Sequence, residues 1–398
     1  MQLSRQTNAL SIWHDPRALA LMIAASLTVM TAATISPALP GLEQQFAANE
    51  TNALLIRLLV PAPSLAVVLV APLCGAVADR SGRRCLLLLG LLLFIVSGSA
   101  GLILPTLPLI LLSRICLGIA LAMIMTAQSA LMADYFSGEA LHAVSSGQVS
   151  ARNFGGFVFI VIAGLLASVQ PRLPFAVYAM PALALPFFWR VIVDPPAFRS
   201  AGEKPAQSNS GETTKVVFLL AFGQMVLTML FFVMPTQLPF FLSSRGYTSP
   251  SMTGAALGTL MVAGGIAALG YPRAQAFFGN AGVWALGFGL MALGFAALVA
   301  GDTTTAIFLG NAAVGAGYAL AIPGFVALSL SRTPPGRRGQ TAAILTGSVF
   351  LGQFLSPFLS NPSIETFGWR ISGLGLAAAL GTVGVVCGAV SILRTRSS

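Results

Sequence analysis

Residues 75–85 of this chain read GAVADRSGRRC, and they separate two long apolar runs. This block is the densest cluster of charge in the sequence, and its key positions are Gly75, Asp79, Arg80, Gly82, Arg83 and Arg84. Short basic segments between apolar runs are typical of the cytoplasmic loops of integral membrane proteins. The stretch therefore indicates a membrane-embedded fold and assigns its own loop to the cytoplasmic side.

The composition of the chain supports a membrane protein. Of its 398 residues, 56% are hydrophobic and only 8% are charged, whereas soluble domains carry about 25% charged residues. The net charge of +10 could suggest nucleic-acid binding. However, the basic residues lie between apolar runs and not on a water-facing surface with a normal acidic complement. We therefore expect a lipid bilayer as the surroundings and no nucleic-acid partner.

Windows long and apolar enough to cross a bilayer recur along the whole chain. They lie near 17–39, 54–77, 86–104, 107–133, 146–169, 172–193, 216–242, 250–271, 281–300, 303–330, 341–360 and 369–393. The sequence thus predicts an all-α membrane protein with twelve transmembrane helices in two groups of six. We expect an N-terminal six-helix bundle over 1–193, a cytoplasmic linker over 194–215, which is rich in Pro, Gly and Ser, and a C-terminal bundle over 216–398.

The cysteines and the N-terminus carry no further signal. The four cysteines form no CxxC pair and have no histidine cluster nearby, so we expect no disulfide framework, no metal site and no cofactor. The apolar run from Ala18 to Pro40 is long and is followed by many similar runs, so we interpret it as a retained first span and not as a signal peptide.

Lysine and arginine predict the topology. Four loops on one side carry most of them: residues 80–84, 190–215, 332–338 and 394–396. That side is cytoplasmic by the positive-inside rule. We therefore expect a multi-pass protein of the cell (inner) membrane, with both termini and the linker in the cytoplasm.

The two halves resemble each other in sequence. Arg114 and Gly118 in span four correspond, 197 positions later, to Asn311 and Gly315 in span ten, and Gly82 corresponds to Gly279 by the same shift. The end of span one, SPALPGL, is similar to MPTQLPFFL at the end of span seven. Two six-span repeats predict a transporter whose substrate site lies between the halves near the bilayer midplane.

The charged block also matches a family signature. It resembles the G-x-x-x-D-R-x-G-R-[KR] motif of the major facilitator superfamily, with all six positions in place. The TISPALPGL stretch (residues 34–42) and the R-x-x-x-G pattern of Arg114 and Gly118 are similar to the bacterial drug:proton antiporter branch. The resemblance implies a rocker-switch carrier. The alternative interpretation is a loop that only sets topology, but Asp79 and the two glycines would then be superfluous.

The charged loop is further expected to act as a gate. Gly75 and Gly82 would allow close helix approach and a tight turn, and Asp79 could pair with an arginine or with a helix N-terminus. Such a latch would hold the cytoplasmic side closed. Span five departs from the antiporter pattern, because GQVSARNFGGFVFIVIAG (residues 147–164) contains no Gly-Pro pair.

Two arginines are candidates for contact with substrate, because charges within spans are costly and usually functional. Arg114 shares a helical face with Gln128 in span four, and Arg152 with Asn153 lies early in span five. Two alternatives stay open: Arg114 could brace neighbouring helices through their carbonyl groups, and Arg152 could extend to the lipid headgroups. The further polar candidates for the substrate site are Thr31, Thr34, Gln224, Gln237, Asn311 and Tyr318.

No aspartate or glutamate lies in the middle of a span. Carriers that exchange cations for protons usually hold a buried carboxylate, and a cavity with arginine but no carboxylate attracts anionic groups. Asp134, at the end of span four, is the best remaining candidate for a proton-sensitive group. We therefore expect an anionic or zwitterionic substrate, such as an organic acid, a metabolite or a carboxylate siderophore.

Together these features predict a monomeric secondary active transporter that exports a small organic molecule, with a proton as a candidate coupling ion. The alternative is a proton-coupled multidrug exporter for neutral lipophilic compounds, in which Arg114 is structural. An enzyme is not expected, because the chain has no HExxH or GxSxG motif and no paired carboxylates within spans.

Overall fold

The computed structural model describes residues 15–46, 50–194, 211–301, 303–334 and 337–396. Within these ranges the side chains of residues 50, 51, 79–81, 139, 142, 211–214 and 392–396 lie outside the description. The described residues are helical, with short connections and no β-strand among them. The chain divides into two compact units, Met1–Ser200 and Ala201–Ser398.

The described residues of the N-terminal unit form eight α-helices. They are α1 (Pro16–Ala33), α2 (Leu39–Phe46), α3 (Glu50–Leu58), α4 (Ala62–Ser81), α5 (Arg83–Ser99), α6 (Leu107–Tyr135), α7 (Gly138–Val169) and α8 (Leu185–Val191). Short 3-10 helices cover Ser36–Ala38, Ala100–Leu102 and Leu173–Ala184. Asp15 caps α1 by accepting a 2.8 Å hydrogen bond from the Arg17 amide, and prolines in the first turn of α1, α4 and α6 suit the helix N-terminus.

In the part of the C-terminal unit that the structure describes there are five further helices. They are α9 (Gly211–Phe231), α10 (Val233–Ser244), α11 (Pro250–Ala300), α12 (Thr304–Arg332) and α13 (Arg338–Arg396). Residues 211–215, which the sequence assigns to the linker, are thus helical. The rest of that segment, residues 195–210, lies outside the described residues.

The helices account for twelve spans. Among the described residues nine helices are long and apolar enough to cross a membrane, and the bent pair Asn52–Leu58 with Ala62–Ala78 makes a tenth. Two of the nine, α11 and α13, are broken by glycines with positive φ: 64° at Gly279 and 73° at Gly368. Division of α11 and α13 at these glycines gives the twelve spans predicted from the sequence, in an all-α fold.

The internal repeat is visible in the packing of the two units. A Cβ atom on Gly118 of α6 would lie 2.2 Å from the backbone oxygen of Pro63 in α4. A Cβ on Gly315 of α12 would lie 2.1 Å from the backbone oxygen of Leu260 in α11. Leu260 follows Pro63 by the same 197 positions that separate the glycines. The sequence repeat is therefore a structural repeat with the same register.

The turns that join the spans repeat as well. Gly82, between α4 and α5, has a φ of 86°, and its counterpart Gly279 in α11 has a φ of 64°. Only glycine adopts this backbone region without strain. The two halves therefore use a glycine for the same reversal at corresponding positions.

Candidate functional site

Arg114 in α6 lies in the interior of the N-terminal unit, with no exposed surface. One of its terminal nitrogens, Nη2, donates a 2.9 Å hydrogen bond to the carbonyl oxygen of Gly98 at the end of α5. Two rings of the 3-10 segment flank the guanidinium, whose carbon lies 5.1 Å from the ring centre of Phe175 and 4.5 Å from that of Tyr178. Such cation–π contacts stabilise a desolvated cation in part.

The guanidinium of Arg114 is only partly satisfied. Its Nε and Nη1 atoms are buried and have no hydrogen-bond partner among the described residues, and no described carboxylate pairs with it. Because a buried cation without a counter-ion is costly, this site is electrostatically suited to receive a negative group. The contact with Gly98 also fits the bracing role considered above, so the residue has features of both interpretations.

Two of the predicted threonines lie beside this cluster. The Tyr178 hydroxyl donates to the backbone oxygens of Met30 and Thr31, at 3.2 and 3.1 Å. Thr31 bonds back to its own helix through Leu27 O, at 3.2 Å. The Thr34 Oγ1 atom is buried and has no hydrogen-bond partner among the described residues. The structure thus brings the end of α1 next to Arg114 by way of Tyr178.

The other polar candidates of this unit lie elsewhere. Gln128 follows Arg114 on α6 by fourteen positions, which is about 21 Å along a helix axis. Its Oε1 atom is buried and unpartnered among the described residues. Arg152 is half-buried on α7, and Asn153 donates to Val149 O of its own helix at 3.0 Å. These three residues do not form one cluster with Arg114.

In the C-terminal unit, two of the predicted polar residues have side-chain partners. Tyr318 of α12 forms a 3.1 Å hydrogen bond with Thr228 of α9 and stacks on Phe231, with ring centres 3.9 Å apart. Gln237 donates to Ser360 Oγ at 3.0 Å and also to Asn361 Oδ1. The structure therefore gives Tyr318 and Gln237 partners within their own bundle.

Two amides of this unit keep unpartnered oxygens. Gln224 donates to Leu345 O at 3.4 Å, and Asn311 donates to Ile307 O at 2.8 Å. The Oε1 atom of Gln224 and the Oδ1 atom of Asn311 are buried and have no hydrogen-bond partner among the described residues. Buried acceptors of this kind are costly unless another group satisfies them. Asn311 occupies the position in the repeat that Arg114 holds in the first half.

The charged loop between α4 and α5 is held by two acidic residues of the N-terminal unit. Arg83 forms an ion pair with Asp134 at the end of α6. The backbone N–H of Arg84 donates a 2.8 Å hydrogen bond to Asp194 Oδ1, and its guanidinium donates to Trp189 O at 2.8 Å. The same guanidinium lies over the Trp189 ring, with its carbon 5.0 Å from the ring centre.

The two glycines of the loop have different surroundings. No described atom lies within 4 Å of a Cβ built on Gly75, and the close helix approach expected at Gly75 stays a prediction. A Cβ on Gly82, in contrast, would lie 2.7 Å from Asp194 Oδ2. The side chains of Asp79 and Arg80 lie outside the described residues, and the latch assigned to them stays a prediction.

Sequence reasoning missed the partners of both charged sites. Phe175 and Tyr178 are ordinary aromatic residues in an apolar run, and no signal in the sequence connects them to Arg114. Asp194 directly follows the sixth span, where an acidic residue usually indicates only the end of a helix. Its role depends on a contact across 110 positions, which a single sequence does not reveal.

Comparison with known proteins identifies the family. The profile of the Major Facilitator Superfamily matches residues 21–278, which is more than half of the chain. This chain belongs to the Major Facilitator Superfamily. Members of this superfamily are transporters and not enzymes, so the chain is a multi-pass membrane transporter, as the sequence predicted.

Curated relatives match only part of the chain. The Quinolone resistance protein NorA of Staphylococcus aureus is 30% identical over 129 residues, which cover 30% of this chain and 31% of the relative. The Multidrug resistance protein 1 of Bacillus subtilis is 34% identical over 116 residues, which cover 27% of this chain and 28% of the relative. The chain thus aligns with less than a third of the length of the curated relatives it matches.

Solved structures match over nearly the whole chain. The nucleoside transporter NupG superposes with a TM-score of 0.75 at 14% identity, covering 94% of this chain and 99% of that one. A D-xylose-proton symporter gives a TM-score of 0.74 at 18% identity over 92% of this chain and 96% of that one. The human organic anion transporter MFSD10 gives a TM-score of 0.67 at 18% identity, covering 94% of this chain and 99% of that one. At these identities the likeness establishes the fold.

Proposed function

We propose that this transporter exports a small organic anion or zwitterion by alternating access, with Arg114 as the residue that binds its negative group. The loop between α4 and α5 would face the cytoplasm and act as the gate. A carboxylate-bearing metabolite, an organic acid or a carboxylate siderophore would be a suitable substrate. The proposal depends above all on the buried, half-satisfied guanidinium of Arg114.

The charge balance around Arg114 supports an anionic substrate. The guanidinium has no described carboxylate partner, and its Nε and Nη1 atoms are the two donors without a bond. These two donors lie on different edges of the guanidinium, because Nε forms a fork only with Nη2, which is already bonded to Gly98 O. A substrate carboxylate that accepts a charge-assisted hydrogen bond from Nη1 or from Nε would satisfy one of the free donors and neutralise the buried charge.

Other polar groups would contribute further contacts. Thr34 beside Arg114, and Gln224 and Asn311 in the C-terminal unit, each present a buried oxygen without a partner among the described residues. These oxygens suit N–H or O–H donors on the substrate, such as an ammonium or hydroxyl group. Thr31, Gln237 and Tyr318 are further proposed binding residues, whereas Gln128, Arg152 and Asn153 do not cluster with Arg114 and stay predictions from the sequence.

The direction of transport is inferred from the relatives. The two curated relatives are named for resistance to quinolones and to multiple drugs, and resistance by a transporter requires export. A proton is the proposed coupling ion. Asp134 is the acidic side chain best placed to respond to it, since it pairs with Arg83 of the gate loop and would release that arginine on protonation.

A second candidate function is favoured by one observation. The hydrogen bond from Arg114 to the Gly98 carbonyl and its two ring contacts are what a purely structural arginine would make. The protein would then be an exporter of neutral lipophilic compounds. The two functions differ in whether the substrate's negative charge matters.

A matched pair of substrates separates these functions. We suggest norfloxacin, which carries a carboxylate, and its methyl ester, which does not, in counterflow assays with purified protein in liposomes. Arg114→Gln should lower norfloxacin transport by about tenfold, the value of one lost charge-assisted contact, and ester transport by less than about twofold. Equal losses for both compounds would favour the neutral-compound exporter.

Arg172 provides the control for this experiment. It is another arginine of the N-terminal unit that donates to a backbone carbonyl, Leu104 O at 2.9 Å, and lies over a ring, that of Phe46 at 5.1 Å. Arg172→Gln therefore removes a brace of the same kind without removing the proposed anion site. It should change transport of the acid and of the ester to the same small extent.

A further inference from the structure

The C-terminal unit has a cavity of about 350 Å³, and none of the proposed substrate-binding residues lines it. It lies between α10, the second half of α11 and the part of α13 on both sides of Gly368. Its 18 lining residues include no charged side chain. Nine of the lining residues are aliphatic, four are aromatic, two are glycines and three are serines, which provide the polar groups. The aromatic residues and the serines are Phe241, Phe295, Phe367, Trp369, Ser360, Ser363 and Ser372.

The internal repeat distributes large and small side chains differently in the two halves at this place, and Phe295 and Leu298 occupy the positions of Gly98 and Gly101. In the N-terminal unit, Phe175 and Tyr178 are fully buried and pack so tightly that a Cβ on Gly101 or Gly98 would meet their atoms at 2.1 and 2.5 Å. The positions that follow Phe175 and Tyr178 by 197 residues are Ser372 and Gly375. Both small residues line the cavity.

The correspondence between these segments is supported by the backbone. The N-terminal half interrupts its helices at Gln170–Arg172, between α7 and the 3-10 segment. The C-terminal half breaks α13 at Gly368, which follows Pro171 by the same 197 positions. Ser372 and Gly375 therefore occupy the places of the two rings. No described atom lies within 4 Å of a Cβ on Gly375.

We propose that this cavity is a second binding site, for a neutral aromatic molecule that enters from the lipid phase. An uncharged lining excludes ions, and rings such as Phe241 and Trp369, whose centres are 5.0 Å apart, favour another ring as their partner. A largely apolar pocket of about 300–1,000 Å³ with a few polar groups is typical of a small-molecule site.

The cavity is also accessible. Two of its lining residues, Phe367 and Ile371, are 58% and 63% exposed, so the lining extends to the surface of the protein. Phe367 lies in the break between the last two predicted spans and Ile371 lies at the start of the last one, so we infer that the opening lies at the membrane boundary, from which neutral aromatic compounds in the bilayer can enter. The site is separate from Arg114, and its occupancy does not depend on which substrate the transporter carries.

Trp369 makes occupancy measurable. The chain has four tryptophans, and replacement of Trp13, Trp189 and Trp284 by Phe leaves Trp369 as the only one. The protein in lipid nanodiscs is titrated with 1-bromonaphthalene, a neutral aromatic quencher. We expect saturable quenching of Trp369. Gly375→Phe restores the bulk found in the first half and should weaken the apparent affinity at least about tenfold.

Leu374→Phe is the matched control. Leu374 neighbours Gly375, is 42% exposed and is not part of the lining, so Leu374→Phe places the same ring outside the cavity. It should leave the quenching curve unchanged, and both variants should melt within a few degrees of the parent. Quenching that rises without saturation, or that saturates equally in both variants, would overturn the proposal.

A second titration distinguishes a lipid chain from an aromatic ligand. In nanodiscs that contain brominated phosphatidylcholine, Trp369 should be only weakly quenched if its cavity is not filled by an acyl chain. Strong quenching of Trp369 by the brominated lipid would show a lipid tail in the cavity if Gly375→Phe abolishes it and added naphthalene does not reduce it. That result would contradict the proposed occupant.

Discussion

Arg84 and Asp194 lie 110 positions apart, yet the backbone N–H of Arg84 donates a 2.8 Å hydrogen bond to the Asp194 carboxylate. The same carboxylate lies against Gly82, the residue at which α4 ends and α5 begins. An acidic side chain beyond the sixth span therefore helps to hold the densely charged loop between α4 and α5 in place, together with the Arg83–Asp134 pair.

The first prediction concerns the hydrogen bond itself. Asp194→Ala removes the acceptor and should lower the free energy of unfolding by about 1 kcal/mol, since the group is exposed and water replaces part of the bond. Asp194→Asn keeps an oxygen acceptor and should retain most of the stability. Thermal unfolding in detergent measures the difference, and identical melting temperatures for Ala and Asn would show that the contact is not stabilising.

The second prediction compares the two turn glycines of the repeat. Ala at Gly82 or Gly279 has to adopt a positive φ, which costs about 1–2 kcal/mol at either site. Only at Gly82 would the new Cβ also meet Asp194 Oδ2, at 2.7 Å. Gly82→Ala should therefore destabilise the protein more than Gly279→Ala does.

A double variant tests the reason for that difference. Combining Gly82→Ala with Asp194→Ala removes the clash and leaves only the backbone strain. The double variant should lose less unfolding free energy than the sum of the losses of the two single variants. Additive losses would mean that the Asp194 side chain does not limit the space at Gly82.

The third prediction concerns the close contact between α11 and α12. Gly315→Ala would place a Cβ 2.1 Å from Leu260 O, so the two helices have to separate. We expect a loss of about 1–3 kcal/mol, the usual cost of overpacking. Gly289→Ala in α11 is the control, since no described atom lies within 4 Å of its Cβ. An equal effect of both substitutions would contradict the packing argument.

The fourth prediction addresses the proposed substrate site in the C-terminal unit. Tyr318→Phe keeps the ring stack on Phe231 but removes the hydroxyl that bonds Thr228. If that hydroxyl also binds substrate, KM for norfloxacin should rise about fivefold, the equivalent of one hydrogen bond of about 1 kcal/mol.

Tyr247 supplies the comparison for this variant. Its hydroxyl bonds Thr304 at 3.3 Å in an exposed position, away from the proposed site. Tyr247→Phe therefore removes a tyrosine hydroxyl bond without touching the substrate. A KM that rises equally in both variants would argue against a direct role of Tyr318.

The sequence alone predicted the spans and the family because these depend on local patterns. Apolar windows of sufficient length, the charged block at 75–85 and the shift of 197 positions between halves are all readable without tertiary contacts. The breaks at Gly279 and Gly368 also fall between predicted windows. The apolar windows, the charged block and the placement of the glycines were therefore enough to define the fold.

The environments of the charged residues could not be predicted in the same way. Arg114 could be identified as buried, because it lies within an apolar run. Its contacts with Phe175 and Tyr178 depend on how the sixth span packs, and any aromatic residue in any span could have filled that place. The same holds for Asp194, whose partner is chosen by the geometry of the bundle and not by spacing along the chain.

The anchoring of Asp194 also has a consequence for the connection between the two halves. Because this residue is fixed to the α4–α5 turn, the connection from one bundle to the other starts at a defined point beside that arginine-rich loop. Insertions after residue 194 lengthen that connection without moving Asp194, the residue at which it starts. An insertion between α8 and Asp194 would move Asp194 and break its contact with the α4–α5 turn, even though it adds the same number of residues.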